Sequence, residues 1–411
     1  MKRRSRPPLP GTVWLFGWAS LLNDASSEAV FPLLGVFLGT LGAPMRFVGL
    51  ALGVADAVAV VVKILAGRVA DRLQRKPLVI GGYLVATVGR ALIALASHPW
   101  HVLVARSLDR VGKAVRSGAR DAMLAGAVEP GDRGRAFGVA QAMDHVGAAV
   151  GPLVASLCLW GGMSLPATFG VAAAMGLAAP LLLAARLREG AAPLAPPASA
   201  AAPGAGSRSA GPEPGWRRLG AYLAAVGLFA FANSSDAFIL IRAGELGFSA
   251  ATLPLLWLGH HLIKSVTVAV GGTLSDRVPR PWLIVGGWVA FGAAYWGFSL
   301  ATRAWHMAAL MGGYALYHGL AEGPERALVS DLVGAPSRGT AFGLYHAVVG
   351  GAALPAGLWL GWLWDRHGAG VAFRVDAGLA IGAAAVLAAL VVVGPLRGTG
   401  GAFPAPSLKN G

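Results

Sequence analysis

The chain has 411 residues, 55% of them apolar and 13% charged, with 59 glycines and a mean hydropathy of +0.62. That balance excludes a water-soluble globular domain, in which roughly a quarter of the residues are charged. The formal net charge of +15 invites a nucleic-acid partner, and the positions of the cations decide that point.

A membrane-crossing helix needs roughly 20 apolar residues. Successive apolar blocks reach that length at 12–38, 46–66, 77–97, 100–126, 136–160, 165–187, 217–241, 251–271, 281–301, 305–333, 338–364 and 371–394. These twelve are too long and too uniformly apolar for barrel strands. Backbone in lipid must satisfy its own hydrogen bonds, so they read as helices of an all-α polytopic membrane protein. The first block follows Lys2, Arg3, Arg4 and Arg6, as in a signal peptide. It runs longer than the apolar part of such a peptide and carries Asn23, Asp24 and Glu28, so it is expected to be retained.

Basic residues gather at the amino tail, at Arg68 to Lys76, at Arg133 and Arg135, from Arg186 to Arg218, at Arg277 and Arg280, and at Arg338. The alternate loops hold little more than Arg46, Arg242, Arg303, Arg366 and Arg374. By the positive-inside rule both termini and the central loop face the cytoplasm. The excess charge is then largely topology, and no nucleic-acid partner is implied. Trp100, Trp160, Trp282, Trp305 and Trp364 fall near span ends, where tryptophan anchors a helix at the interface. The single cysteine, Cys158, lies inside a span and offers neither a disulfide nor a thiolate metal site.

An ionisable group in the hydrocarbon costs at least about 2.5–3.5 kcal/mol, so each must face a cavity or a partner. In the first span Asp24, Ser27 and Glu28 share a face near the midplane, beside Asn23. A carboxyl that is charged in a wet cavity and protonated in a dry one can carry a proton; alternatively these two neutralise cations on another helix. The fourth span is extreme. Arg106, Asp109, Arg110, Lys113, Arg116, Arg120 and Asp121 fall within an arc of about 140° at roughly 100° per residue. Such a face meets either acids, with Asp24, Glu28, Asp56 and Asp144 as candidates, or an anionic substrate. Later spans add His260, His261 and Lys264, then Tyr314, Tyr317, His318, Glu322 and Glu325, then Tyr345 and His346, with Asn233 to Asp236 in the seventh. These groups suit a polar cavity, and none has the spacing of a strong metal motif.

The chain repeats itself at an offset of 205 residues. Gly67-Arg-Val-Ala-Asp71-Arg72-Leu-Gln-Arg75-Lys76 returns as Gly272-Thr-Leu-Ser-Asp276-Arg277-Val-Pro-Arg280. Arg133-Gly-Arg-Ala-Phe137-Gly138 returns as Arg338-Gly-Thr-Ala-Phe342-Gly343, and Arg120-Asp121 is matched by Glu325-Arg326. The organisation expected is a basic tail at 1–11, a six-helix bundle at 12–187, a linker at 188–216, a second bundle at 217–394 and a tail at 395–411. The linker is dominated by alanine, proline, glycine and serine and cannot bury a core.

The glycine-and-charge motif at Gly67 to Lys76, with Gln74 where a glycine is usual, resembles that of the major facilitator superfamily. The resemblance spans nearly the whole chain and implies two six-helix bundles with alternating access. It implies a gating latch formed by Gly67, Asp71, Arg72, Arg75 and Lys76 with Asp121, and by Gly272, Asp276, Arg277 and Arg280 with Arg326. Gly138, Gly147, Gly151 and Pro152 resemble the antiporter motif of the drug-exporting branches; small residues at this spacing also serve close helix packing. Arg106 stands at the arginine of the family's proton-relay motif, with Asp109 and Arg110 replacing its glutamine and glycine. An acidic residue in the first helix is common among drug–proton antiporters of this superfamily, which supports proton coupling by Asp24 and Glu28 with Arg106.

The expectation is therefore a secondary transporter of a bacterial inner membrane, neither an enzyme nor a cofactor protein. It exports a polar or anionic metabolite or drug against protons, with a cavity of Asn23, Asp56, Asp109, Arg110, Lys113, Asp144, His261, Lys264, Tyr317, Glu322 and His346. Uptake or facilitated passage of an organic anion is the alternative, and a non-transporting receptor or sensor a second class. The oligomeric state stays open, a monomer being the simplest expectation.

Overall fold

The computed structural model describes residues 8–70, 74–129, 132–187, 214–275, 277–334 and 337–397. Among the described residues the chain is helical and without strands. The helices are α1 (Gly11–Thr40), α2 (Met45–Ala70), α3 (Arg75–Ala94), α4 (Pro99–Gly126), α5 (Arg133–Trp160), α6 (Leu165–Arg186), α7 (Pro214–Ala232), α8 (Ala237–Glu245), α9 (Leu253–Leu274), α10 (Arg280–Leu300), α11 (Ala304–Leu332), α12 (Arg338–His367) and α13 (Ala369–Val392). With α7 and α8 counted as one span, these are twelve transmembrane helices. The repeat sets their ends: Arg75 and Arg280, Pro99 and Ala304, and Arg133 and Arg338 open matching helices 205 residues apart. The expected linker lies almost wholly outside the described residues, as do the outer parts of both tails.

Ten segments are long and apolar enough to cross a membrane by composition alone. The two that fall short are α4 and α11, which occupy the same place in each half and carry the charge-rich faces. The seventh span differs from an unbroken helix. Asn233-Ser234-Ser235-Asp236 interrupts it, and these four side chains compete with the backbone for hydrogen bonds and favour turns over helix interiors. Asn233 donates to Tyr317 at 3.0 Å, and the Ala237 N–H reaches the Ser235 hydroxyl at 3.4 Å.

Two compact units result. The first holds α1–α6, α8, the start of α9 and residues 353–365 of α12; the second holds α7 and most of α9 to α13. In the first, Val13, Phe16, Tyr83, Leu124 and Leu183 form a fully buried apolar core from α1, α3, α4 and α6. Small residues set the helix spacing. A Cβ on Gly151 of α5 would lie 2.8 Å from the Ala29 nitrogen of α1, and one on Gly147 would meet the Leu21 backbone. Lipid gives apolar helices no hydrophobic reason to associate, so such backbone contact carries the packing. On α2, Gly49 and Gly53 face Gly357 and Leu354 of α12 in the same manner. The Asp365 carboxylate then caps the first turn of α2, accepting from Met45 N at 2.8 Å and Arg46 N at 3.0 Å. In the second unit α10 packs against α11 and α13 through a buried aromatic cluster that includes Phe291, Tyr295, Phe298 and Tyr314.

This packing separates the glycines of α5. Gly151→Leu should destabilise the chain by about 1–3 kcal/mol through overpacking against α1, seen as a lower midpoint in a thermal-aggregation assay. Gly138→Ala, with nothing within 4 Å of an added Cβ, should keep the midpoint or raise it slightly, because alanine favours a helix interior over glycine.

Candidate functional site

In the first unit the site is built on α4, and glycines bring it into reach. A Cβ on Gly89 of α3 would lie 2.7 Å from the Asp109 nitrogen, and one on Gly82 would lie 2.6 Å from the Arg116 Cβ. Backbone therefore runs against backbone, and the Arg90 side chain meets Asp109 directly. Arg90 Nε donates to Asp109 Oδ1 at 2.9 Å, and Arg106 Nη1 donates to Oδ2 at 2.8 Å. The remaining nitrogens of Arg90 hold α1. Nη1 donates to Ser26 Oγ at 2.7 Å and to the Asn23 carbonyl at 3.2 Å, and Nη2 donates to Asn23 Oδ1 at 2.6 Å. Arg90, Arg106 and Asp109 are 1%, 2% and 3% exposed, so the cluster is sealed from solvent.

Around this cluster the other expected residues take distinct places. The Asn23 amide donates to Asp24 Oδ1 at 2.9 Å. One turn on, Glu28 Oε2 accepts from Trp257 Nε1 of α9 at 2.8 Å. Pro32, four residues later, has no N–H, so the Glu28 carbonyl lacks its helical donor. Phe31 packs on Trp257 at 5.1 Å between centroids, and the Arg106 guanidinium lies 5.6 Å from the Phe31 centroid. His261 stands edge-on to Trp257 at 4.6 Å. Arg110 pairs with Asp56 at 3.1 Å. Arg120 reaches Asp121 at 3.1 Å, Asp144 at 3.7 Å and Ser20 Oγ at 2.7 Å. Arg116 lies over the Tyr83 ring at 4.0 Å, a cation–π contact. Lys113 lies within electrostatic reach of Asp24 and Glu28. Asp56, Arg110, Lys113, Ser117 and Lys63 line a hollow of about 200 Å³ between α2 and α4.

In the second unit, Glu322 is shared by Lys264 at 3.4 Å, Arg326 at 3.3 Å and His318 at 3.8 Å. Tyr317 accepts from Asn233, and the His346 ring lies 5.4 Å from that of Tyr345. Glu325 is 7% exposed, with Oε1 accepting from Trp288 Nε1 at 2.8 Å and Oε2 from the Tyr345 hydroxyl at 2.6 Å. Among the described residues no group of three or more His, Cys, Asp or Glu side chains could hold a metal ion.

Of the latch residues, Asp71, Arg72 and Asp276 lie outside the described residues. Gly67 lies in the last turns of α2, Arg75 and Lys76 open α3, Gly272 lies near the end of α9, and Arg277 is exposed just before α10. Asp121 is paired with its neighbour Arg120 and Arg326 with Glu322, while Arg280 is paired with Asp331.

Three functional candidates escape a reading of the sequence alone. Arg90 is the single charged group of an otherwise apolar third span, and that isolation is the signal that marks it. Trp257 and Trp288 carry no comparable signal, because an indole inside a span is ordinary core until its N–H is seen to meet a carboxylate.

Repeated helical halves with charged helices at matching places define the architecture of a membrane transporter. The chain belongs to the Major Facilitator Superfamily, whose profile matches residues 16–348. It is 28% identical over 366 residues to an MFS-type transporter of Methanocaldococcus jannaschii, covering 87% of this chain and 89% of that one. It is 35% identical over 131 residues to the multidrug resistance protein MdtH of Yersinia enterocolitica, covering 32% of this chain and 33% of that one. The fold is that of the POT family transporter PepTSo, with a TM-score of 0.77 at 12% identity over 95% of this chain and 99% of that one.

The buried cluster sets a sharp contrast between two aspartates. Asp109→Asn leaves Arg90 and Arg106 buried without a counter-charge and should cost about 3–5 kcal/mol, read as loss of the folded peak in size-exclusion chromatography. Asp56→Asn breaks a pair whose carboxylate is 45% exposed, and should cost less than about 1 kcal/mol.

Proposed function

We propose that this transporter exports a small polar or anionic solute from the cytoplasm across a bacterial inner membrane by alternating access, driven by proton antiport. The observation that carries the substrate class is the hollow between α2 and α4. Arg110, Lys113 and Lys63 set three cations there against the single carboxylate of Asp56. Asp109, the other acid on this stretch of α4, is already engaged by two arginines. A surplus of positive charge lining this hollow favours carboxylate or phosphate and disfavours a lipophilic cation.

Proton coupling is assigned to Asp24 and Glu28, with Arg106 as the fixed charge beside them. The support is positional: both carboxyls lie on α1, Glu28 is held by a neutral indole donor, and both act electrostatically on Lys113. A change of protonation at either alters the field at Lys113 and so links solute binding to the proton; antiport requires that the two exclude each other at this site. The export direction is supported by the similarity of about a third of the chain to MdtH. In this reading both termini and the linker are cytoplasmic, the bundles are 12–187 and 217–394, and the glycine-and-charge motifs gate the cytoplasmic side.

Proteoliposomes that trap a pH-sensitive dye test the reading with a panel of organic acids and phosphate esters. A transported anion should move protons in the wild type, and Asp24→Asn or Glu28→Gln should leave anion flux without the dye response. Lys113→Gln should raise KM for the anion about tenfold, the loss of one charge-assisted hydrogen bond. Normal coupling in both acid variants together with an unchanged KM in Lys113→Gln would sink the assignment, and preferential transport of cationic dyes would reverse the substrate class.

A further inference from the structure

The second unit contains a buried carboxyl to which the anion reading gives no task. Both oxygens of Glu325 are engaged, but only by neutral donors, the Trp288 indole and the Tyr345 hydroxyl. Among the described residues no cation pairs with it: Arg326 and Lys264 both go to Glu322. Among the described residues, the titratable and charged groups around it include Tyr222 from α7, Glu322 and Arg326 from α11, and Tyr345 from α12, while α10 contributes Trp288. Phe229 stacks on Trp288 at 4.5 Å with the rings 3° from parallel, which closes the pocket on that side.

The repeat shows how unusual this placement is. Glu325 stands where the first half has Arg120, and Trp288 stands where it has Tyr83. In the first unit the corresponding cation is met by the carboxylates of Asp121 and Asp144. In the second the sign is inverted, and among the described residues no ion pair replaces them, the nearby Arg326 being paired with Glu322. An indole N–H can only donate, so Trp288 is a partner for an acceptor and for nothing else.

We propose that Glu325 is a proton-binding site of the second unit, which gains and loses a proton in place while Trp288 and Tyr345 hold it in both forms. As a carboxylate it accepts from both donors, yet a buried charge without a counter-ion is costly. As a neutral acid it keeps the bond from Trp288 on its carbonyl oxygen and must find an acceptor for its own O–H. The Tyr345 hydroxyl both donates and accepts, so a rotation of that O–H supplies the acceptor without moving a heavy atom. Tyr222 lies within electrostatic reach of Glu325 and Tyr345, and its buried hydroxyl has no hydrogen-bond partner among the described residues. Any role in transport rests on the coupling reading above, whereas proton binding itself does not and is measured without flux.

The test is a pH titration of tryptophan emission on the full-length protein in nanodiscs, with Trp288→Phe isolating the Trp288 component. That component should change with pH as a single-proton curve, vanish in Glu325→Gln and persist in Glu28→Gln. Tyr345→Phe, which removes one hydrogen bond to the carboxylate, should displace the midpoint by about one pH unit. A pH-dependent Trp288 component that survives in folded Glu325→Gln, or no such component in the wild type, overturns the proposal. If Glu325→Gln does not fold, an unmoved midpoint in Tyr345→Phe overturns it equally. A change produced only by an added organic amine at fixed pH would also overturn it, making Glu325 a cation site. A normal titration combined with proton-independent flux leaves this site standing and removes the coupling reading alone.

Discussion

The first unit depends on one carboxylate that serves two guanidiniums. Asp109 holds Arg90 from α3 and Arg106 from its own helix, and Arg90 in turn holds Asn23 and Ser26 of α1. Three helices are thereby joined through charge-assisted hydrogen bonds in a region sealed from water. Breaking one member of such a cluster strands a buried charge, which costs far more than an exposed pair can return. Because Asp109 is committed in this way, the charges left over on α4 are cationic, and the chemistry proposed for the hollow beside Lys113 follows from that commitment.

The two halves share backbone positions and differ in what those positions do. Arg90 and Asp109 are matched at the 205-residue offset by Tyr295 and Tyr314. These tyrosines are also buried, with ring centroids 6.1 Å apart, inside the aromatic cluster of the second unit. One half fastens these two helices with an ion pair and the other with rings. Arg120 and Glu325 carry the same contrast one step further, since there the charge itself changes sign.

Much of this was legible in the sequence. The spans follow from hydropathy, the pairing of halves from the repeat, and the crowded face of α4 from helical periodicity, because each is local along the chain. That Asp56 and Asp144 are among the acids available to the α4 cations follows from counting, but which cation each one meets does not. The break at Asn233 to Asp236 was less legible, since its polar residues could equally have lined an intact helix. Isolation in an apolar span marks Arg90 as a residue, but its role, like those of Trp257 and Trp288, was illegible for a common reason. Their roles depend on partners 19, 229 and 37 residues away, and no periodicity reports a contact across helices.

The Arg90–Asp109 pair has a consequence for how the halves could have diverged. If they descend from one duplicated unit, the step between a tyrosine pair and an ion pair cannot pass through a lone arginine or a lone aspartate without burying an unpaired charge. Gly89 and Gly112 leave α3 and α4 no slack to open and admit water. The same constraint covers Arg106, which is equally buried and shares the Asp109 carboxylate. Electrostatics therefore ties the three charges to one another: each is tolerable in this dry seam only while the aspartate and its arginines are present together.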